Sequence, residues 1–258
     1  MKTTIINKLK QIEKEAGIKI LYACESGSRG WEFPSPDSDY DVRFIYTRST
    51  DEYLSIAEKQ DTLSFPINDE LDIYGWDLIK VLQLIRKSNT TPFEWLQSPI
   101  IYFEEEGFRS DLMNLCKNYF SQRSNTHHYL GIAKGAMETM NEQGVIKIKK
   151  LFYVLRPILA AKWCMEKAEI APMSINPLMT LLPNNLQHKL KILIEQKSTS
   201  AEGLLITPDS ALLQWLKDTE AECVGASQHL EKNQFDLAPL DTFFRTTIAR
   251  YDHTRIER

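Results

Sequence analysis

The chain has 258 residues, of which 43% are hydrophobic and 26% charged, and its formal net charge is −4. These values are ordinary for a globular protein and exclude a strongly basic surface that would bind polyanions along the whole chain. No apolar run approaches the roughly 18 residues that span a bilayer, no signal peptide is recognisable, and the four cysteines are scattered, so we expect a cytoplasmic protein with reduced thiols, no membrane partner and no structural zinc.

The first third of the chain predicts alternating helices and strands. Apolar residues recur at helical spacing over residues 3–15, and residues 18–24 form an apolar run typical of a buried strand. Residues 25–38 hold two glycines and two prolines and therefore predict a loop or turn. The elements predicted after this loop are a strand over 39–46, a helix over 51–59, strands over 62–65 and 71–76, and helices over 77–87 and 92–98.

Beyond residue 108 the apolar pattern is helical. The predicted helices cover residues 108–118, 124–142, 147–168, 184–197, 208–226 and 238–250. Strands mixed with helices, followed by helices alone, indicate an α+β domain and then an all-α domain. We place the boundary near residue 120, which gives one domain over residues 1–120 and a helical substrate- or nucleotide-binding domain over residues 121–258.

The two predicted domains differ in charge. Residues 1–120 carry 20 acidic and 14 basic side chains, whereas residues 121–258 carry 15 and 17. An acidic half beside a mildly basic half suits a cleft with metal ions on one wall and phosphates on the other. A chance imbalance explains the same counts, so the charge pattern alone decides nothing.

A Gly-Ser pair follows the first predicted strand. Gly27 allows the backbone to approach a ligand closely, and the amides of a tight turn beside Ser28 favour phosphate oxygens. Most Gly-Ser pairs are ordinary turns, so this pair indicates little on its own.

Two aspartates follow on the next predicted strand. Asp39 and Asp41 alternate with Tyr40 and Val42, so both carboxylates point to one face of that strand. Paired oxygen ligands of this kind suit Mg²⁺ or Mn²⁺. The alternative for an isolated Asp-x-Asp is a solvated edge strand with its acids facing water.

A third carboxylate, Asp72, projects from the face opposite Leu71 and Ile73. If its strand lies beside the strand that bears Asp39 and Asp41, three acids converge, and two ions about 3.5–4 Å apart can be held for in-line phosphoryl displacement. We prefer Asp72 to its neighbours because these lie at the predicted turn before the strand or at the cap of the following helix. The neighbouring competitors are Asp69, Glu70 and Asp77.

Gly-Ser, ten intervening residues and Asp-hydrophobic-Asp-hydrophobic together resemble the signature of the polymerase-beta-like nucleotidyltransferase superfamily. Residues 25–29, 36–43 and 71–78 look more narrowly like a branch of predicted nucleotidyltransferases, some of them associated with RNA repair. The resemblance implies a catalytic domain with a mixed sheet flanked by helices, followed by an all-α domain. Weaker similarity extends it over most of the chain, at Lys80, Asn89, residues 94–96 and residues 153–156.

The resemblance also implies residue roles. Gly27 and Ser28 would hold the β- and γ-phosphates of a nucleoside triphosphate (NTP) such as ATP. Asp39 and Asp41 would bind both of two Mg²⁺ or Mn²⁺ ions. Asp72 would bind the catalytic ion near the attacking hydroxyl.

Two charged residues near the Gly-Ser pair are harder to interpret. Arg29 is placed to contact a phosphate or to remain a solvated surface side chain, and the sequence leaves both readings open. Glu32 stands where relatives of this branch often have a small residue, so it would weaken phosphate binding if it pointed inward.

A basic stretch in the helical half offers further nucleotide-binding candidates. Lys149, Tyr153 and Arg156 recur at helical spacing and share one face of the predicted helix. This face either grips a triphosphate or an RNA backbone, or is a solvated basic surface with Tyr153 partly buried.

The leading hypothesis is therefore an enzyme that transfers a nucleoside monophosphate from an NTP to an acceptor hydroxyl. The acceptor is an RNA end, a protein side chain or a small molecule, and the sequence does not choose among them. The alternative is a non-catalytic nucleotide-binding or partner-binding regulatory module on the same fold. A third reading, in which the acids are structural and the Gly-Ser turn coincidental, conflicts with the agreement of spacing and strand alternation.

Overall fold

The structure, a computed structural model, describes residues 1–65 and 70–252. The elements of the first half are α1 (Lys2–Ala16), β1 (Lys19–Glu25), α2 (Gly27–Gly30), β2 (Tyr40–Thr47), α3 (Thr50–Tyr53), β3 (Thr62–Ser64), β4 (Leu71–Asp77), α4 (Leu78–Arg86), α5 (Thr90–Trp95), β5 (Ile101–Glu104) and α6 (Phe108–Lys117). Those of the second half are α7 (Gln122–Met137), β6 (Ile146–Lys147), α8 (Ile148–Lys167), α9 (Ile175–Leu178), a short 3-10 helix (Met179–Leu181), α10 (Asn184–Thr199), β7 (Leu205–Ile206), α11 (Ser210–Ser227) and α12 (Ala238–Tyr251). The predicted α+β class is confirmed.

Within the described residues, five strands form a mixed sheet in the order β3-β4-β2-β1-β5. β1 runs antiparallel to β2 and to β5, whereas β2 runs parallel to β4, and β3 is antiparallel to β4. In the parallel pair, Asp41 of β2 lies opposite Asp72 of β4. The topology therefore brings two of the predicted acids to the same level of the sheet.

The sheet is covered on both faces. On one face, the apolar stripe of α1, which includes Ile5 and Leu9, packs against Val42 of β2. On the other face, α4, α5 and α6 bury their apolar residues against β1 and β2, for example at Ile45. Side chains alternate between the two layers as the strand period requires. The carboxylates at the starts of β2 and β4 thus stand on strands held rigidly between two apolar layers.

The helical half has its own core around α8, which is buried along most of its length between α7 and α11. Phe33, from the loop after α2, inserts into this core and stacks on Phe152 with ring centroids 4.7 Å apart. In the other direction, Leu240 of α12 is buried in the core of the first half. Contacts thus cross the predicted boundary near residue 120 both ways, and that boundary stays a prediction.

Several predicted elements differ in the structure. The helix predicted over residues 51–59 is wrong in length, because α3 ends at Tyr53. Leu54 and Ile56 are 77% and 104% exposed, so no apolar face packs to support further turns. The loop predicted over residues 25–38 contains the short helix α2.

The strand β5 has no counterpart in the prediction. It pairs antiparallel with β1 at the edge of the sheet. The strand is only four residues long, Ile101-Tyr102-Phe103-Glu104, and runs directly into the charge run, in which Glu105 forms an ion pair with Lys19 at 2.5 Å. So short an apolar run carries no recognisable strand pattern. The two-residue strands β6 and β7 were not predicted either.

Two further expectations concern membrane-spanning helices and the state of the cysteines. Within residues 1–65 and 70–252, no helix is long and apolar enough to cross a membrane. All four cysteines lie in the described part of the chain as buried free thiols, and burial raises the pKa of Cys24 to about 12.

Candidate active site

Gly27, the first residue of α2, lies against the carboxylate of Asp41. Its φ of 57° falls in the left-handed region, and a Cβ atom there would lie 1.9 Å from Asp41 Oδ2. The Ser26 N–H donates to the Asp41 carbonyl at 2.8 Å, which ties the turn to the start of β2. Only glycine combines a left-handed φ with the absence of a Cβ atom that would collide with Asp41. Because the first N–H groups of a helix lack intrahelical acceptors, the turn brings such groups next to a carboxylate.

Asp41 and Asp72 converge on one cation, the guanidinium of Arg43. Arg43 Nη2 donates to Asp41 Oδ1 at 2.9 Å and to Asp72 Oδ2 at 2.7 Å. The two carboxylate side chains are 28% and 25% exposed, so the cluster is accessible from solvent. Arg43 shares a face of β2 with Asp41 because a single residue, Val42, lies between them along the strand.

The neighbouring charges act on the protonation of Asp41. Burial raises the pKa of the Asp41 carboxyl, the charge of Arg43 opposes this rise, and the charges of Asp72 and Asp39 add to it. Asp39 itself is exposed and lies just before β2. The structure therefore pairs Asp41 with Asp72 and leaves Asp39 at the rim of the same cluster.

The donor set fits a hard divalent cation. Among the described residues, no group of three or more His, Cys, Asp or Glu side chains is already arranged to hold a metal ion. Asp41 and Asp72 nevertheless share a cation, and carboxylate oxygens are the ligands that Mg²⁺ and Mn²⁺ prefer. The position between the two carboxylates is taken by Arg43, so a metal ion binding there would compete with this guanidinium.

Of the acids considered as alternatives to Asp72 for the third carboxylate, the two that the structure describes do not lie beside Asp41 on β4. Asp77 is the buried N-cap of α4 and accepts hydrogen bonds from the N–H of Ile79 and the hydroxyl of Tyr53, each at 2.9 Å. Glu70 lies in the turn before β4, where its carbonyl accepts the N–H of Tyr40. Asp69 lies outside the described residues.

Arg29 is engaged with the backbone of the segment that leads into β2. Its Nη2 donates to the Ser38 carbonyl at 2.8 Å and its Nε to the Asp39 carbonyl at 3.1 Å. The guanidinium also lies 4.0 Å from the centre of the Tyr40 ring. In this arrangement Arg29 fixes the segment that carries Asp39.

The carboxylate of Glu32 is held by residues of the helical half. It has a φ of 69°, and its carboxylate accepts hydrogen bonds from the hydroxyl of Ser174 and from Asn176 Nδ2. These residues lie at the start of α9, so Glu32 connects the loop after α2 to the helical half.

The Ser28 hydroxyl begins a chain of contacts that crosses between the two halves. It donates to Ser38 Oγ at 3.0 Å, and Ser38 Oγ donates to Glu202 Oε1 at 2.7 Å. The other oxygen of Glu202 forms an ion pair with Lys149 of α8. Lys149, predicted to contact phosphate, thus already faces an anion beside the Gly-Ser turn.

Tyr153 and Arg156, the other candidates on α8, occupy different environments. Tyr153 packs edge-on against Trp31, with ring centroids 5.3 Å apart. Arg156 is 3% exposed and donates to Glu94 Oε1 at 3.0 Å and to the Met173 carbonyl at 2.9 Å. Arg156 therefore belongs to a buried ion pair rather than to a solvated face.

Sequence reasoning missed three residues of this region. Arg43 stands two positions after Asp41, and strand alternation alone could have placed it on the same face. Glu25, buried at the end of β1, accepts the Asp41 N–H at 2.8 Å and the Tyr102 hydroxyl. Glu202 has no local signal, because its partners are distant in sequence.

Comparisons with known proteins agree with the resemblance drawn from the motifs. A family model described as RNA repair pathway DNA polymerase beta family matches residues 1–246. The uncharacterized protein YcgL of Bacillus subtilis (strain 168) is 39% identical over 239 residues, which cover 92% of this chain and 92% of that protein. The crystal structure of a nucleotidyltransferase-like protein from Exiguobacterium sibiricum covers 87% of this chain and 74% of its own, at 11% identity and a TM-score of 0.33, a likeness too weak to carry an argument.

Proposed function

The chain belongs to the RNA repair pathway DNA polymerase beta family, and from that premise we propose that it is a metal-dependent nucleotidyltransferase. The reaction moves a nucleoside monophosphate from an NTP to an acceptor hydroxyl and releases pyrophosphate. The observation that carries the proposal is the pairing of Asp41 with Asp72 across β2 and β4, directly beside the turn at Gly27. This arrangement combines ligands for a divalent cation with amides for a phosphate.

Different residues bind the phosphates and the metal ions. Gly27 and Ser28 hold the β- and γ-phosphates through backbone N–H groups and a hydroxyl. Asp39 and Asp41 hold two divalent ions, Mg²⁺ or Mn²⁺, and Asp72 holds the catalytic one. Ions bound there supply positive charge that neutralises the triphosphate and acidifies the attacking hydroxyl.

In the transfer, the acceptor oxygen forms a bond to the α-phosphorus while the bond from that phosphorus to the bridging oxygen breaks. The acceptor's proton passes to Asp72, and pyrophosphate leaves with the bridging oxygen. Lys149, once separated from Glu202, neutralises charge on the leaving pyrophosphate. The chain's contribution is positioning and electrostatic stabilisation of the transition state.

The acceptor belongs to one of three classes: an RNA end, a protein side chain or a small molecule. The family description, which refers to RNA repair, favours an RNA end. A short RNA end requires few phosphate contacts, so the modest basic content of the helical half suits it.

A second candidate function is a non-catalytic nucleotide-binding or partner-binding module on the same fold. Arg43 favours it, because an internal cation between Asp41 and Asp72 relieves their repulsion without metal. Solvent access to both carboxylates favours the enzyme instead, since a metal ion and a substrate can reach them.

The test incubates the purified protein with each NTP labelled at the α-phosphate, a divalent metal, and cellular RNA, protein or metabolite extract. Label or pyrophosphate that appears with wild type but not with an Asp39→Ala/Asp41→Ala variant supports the enzyme, and the labelled fraction identifies the acceptor class. Metal-dependent NTP binding without label transfer or pyrophosphate release would support the binding module.

A further inference from the structure

A cavity of about 340 Å³ lies beside the Gly27 turn, between α5, α7 and α8. Ser26, which directly precedes Gly27, lines one side and Tyr153 lines another. Burial raises the pKa of the Tyr153 hydroxyl, the charge of Lys149 opposes this rise, and the charge of Asp41 adds to it. Through Ser26 the cavity adjoins the phosphate turn of the proposed function, and through Tyr153 it reaches the face of α8 that carries Lys149. Its volume is at the low end of the ~300–1,000 Å³ of small-molecule sites, which suits a nucleoside.

Several aromatic side chains form part of the walls of this cavity. Trp31, Trp95 and Tyr153 all line it. Trp95 is fixed by stacking on Trp76, with ring centroids 4.2 Å apart, and Trp31 is held edge-on by Tyr153. Rigid aromatic walls suit a planar heteroaromatic ring, because every nucleobase has a π-face that packs on them.

The carboxylate that this cavity offers is that of Glu94, and the other polar side chains of its lining belong to Ser26, Thr90, Thr91, His128, Tyr153 and Arg156. Its Oε1 accepts the Tyr129 hydroxyl at 2.8 Å and Arg156 Nη2 at 3.0 Å. Among the described residues, its Oε2 accepts a hydrogen bond from Trp31 Nε1 alone, at a long 3.3 Å. A carboxylate accepts about four hydrogen bonds, so Glu94 retains capacity for a donor but offers none itself.

We propose that this cavity binds the nucleobase of the NTP and that Glu94 selects bases that carry an exocyclic amino group over uracil. Adenine, guanine and cytosine donate N–H groups from that amino group. Uracil has no such amino group, and its single N3–H donor lies between two carbonyl oxygens, which face a carboxylate unfavourably. Glu94 is thus a specificity-determining residue, and its ion pair with Arg156 fixes the direction of its second oxygen.

This inference rests on the proposed function for the identity of the ligand, so the probes are nucleosides, which need neither metal nor turnover. Adenosine and uridine are titrated against the tryptophan fluorescence of the metal-free protein. We expect adenosine to bind saturably and uridine about tenfold more weakly or worse, the effect of one hydrogen bond to a charged group.

Two variants identify the site. Glu94→Gln keeps the size of the side chain but adds an amide donor, so the ratio of uridine to adenosine dissociation constants falls toward one. Because that variant disturbs a buried ion pair, Ile132→Trp serves as the second: Ile132 lines the cavity, is 38% exposed, and a larger side chain there fills the entrance. Its control is Ile192→Trp, on an exposed position of α10 away from the cavity.

The outcomes separate this inference from the proposed function. Equal affinity for the two nucleosides, binding of neither up to millimolar concentration, or adenosine affinity unchanged in Ile132→Trp overturns the base site even if label transfer occurs. Selective adenosine binding that Ile132→Trp abolishes and Ile192→Trp preserves supports the base site even if no transfer is found.

Discussion

Arg43 Nη2 lies 2.7 Å from Asp72 Oδ2 on the neighbouring strand. Because β2 and β4 are parallel and Asp41 stands opposite Asp72, the same nitrogen also reaches Asp41. The chain thus supplies its own cation to the pair of carboxylates that we assign to metal binding. Binding of a metal ion between these carboxylates would therefore exchange one cation for another.

Replacement of Arg43 tests this exchange. In Arg43→Met the two carboxylates lose their shared partner, and we expect the free energy of unfolding in chelator to fall by about 1–2 kcal/mol for a partly exposed pair. Added Mg²⁺ should then stabilise the variant more than wild type, because no guanidinium competes with the ion. Thermal unfolding with and without Mg²⁺ measures both effects.

Lys80→Met is the matched control for Arg43→Met. Lys80 forms a comparable ion pair with Asp61 at 2.8 Å but touches neither Asp41 nor Asp72. An equal Mg²⁺ effect in the two variants would contradict the exchange.

Gly27→Ala tests the close approach of the turn to Asp41. A methyl group at this position displaces the Asp41 carboxylate, and a misplacement of about 1 Å near reacting groups can lower a rate about 100-fold. We therefore expect nucleotidyl transfer to fall by about that factor. Gly17→Ala is the control, because Gly17 has a φ of 60° but no described heavy atom within 4 Å of an added Cβ.

The comparison of the two glycine variants separates backbone strain from steric conflict. Gly17→Ala should lose about 1–2 kcal/mol of stability from its left-handed φ and retain full activity. Equal activity losses in the two variants would show that the approach of Gly27 to Asp41 has no special role.

Glu202→Gln tests whether the ion pair with Lys149 opposes triphosphate binding. Without the charge of Glu202, Lys149 is available to the phosphates, and we expect the dissociation constant for an NTP to fall about twofold to fivefold, the range of a partly exposed ion pair. Calorimetric titration measures it. Glu195→Gln, an exposed position on α10, is the control; unchanged or weaker binding in Glu202→Gln would argue against the competition.

His128, half-buried on α7, predicts a pH effect on stability. Burial lowers the pKa of its imidazole, and the charge of Glu94 opposes this shift. A folded-state pKa below the unfolded value of about 6.5 stabilises the protein above that pH, and this contribution is lost as the pH falls. From about pH 7.5 to about pH 5.5, wild type should lose more stability than His128→Gln.

The control for this pH effect is His188→Gln, at an exposed position of α10. Chemical unfolding at several pH values gives the comparison. A pH profile of His128→Gln that parallels wild type would contradict the assignment.

The sequence allowed much of the site to be predicted because its signals are local. Alternation along two strands placed Asp41 and Asp72 on defined faces, and the Gly-Ser pair indicated a turn. Alternation along a strand does not reveal which strands are neighbours. The convergence of these two acids therefore depends on the pairing of β2 with β4, which the sequence alone does not give.

The parts that could not be predicted depend on distant contacts. Ser38 and Glu202 are 164 residues apart, and no local pattern links them. Glu94 reads as an ordinary helical residue, although its partners are Trp31, Tyr129 and Arg156. The short α3 likewise reflects tertiary packing, because propensity over residues 51–59 favours a longer helix.

The most direct test of the central claim is pyrophosphate release from an NTP in Mg²⁺, compared between wild type and Asp72→Asn. The Asp61→Asn variant is the control, since Asp61 is an exposed acid near the same strands that pairs with Lys80. If Asp72 holds a metal ion and accepts the acceptor's proton, Asp72→Asn reduces the rate by at least about 100-fold, while Asp61→Asn retains it. Equal rates in all three proteins, or no release from any of them with every acceptor class, would contradict nucleotidyl transfer at the Asp41–Asp72 pair.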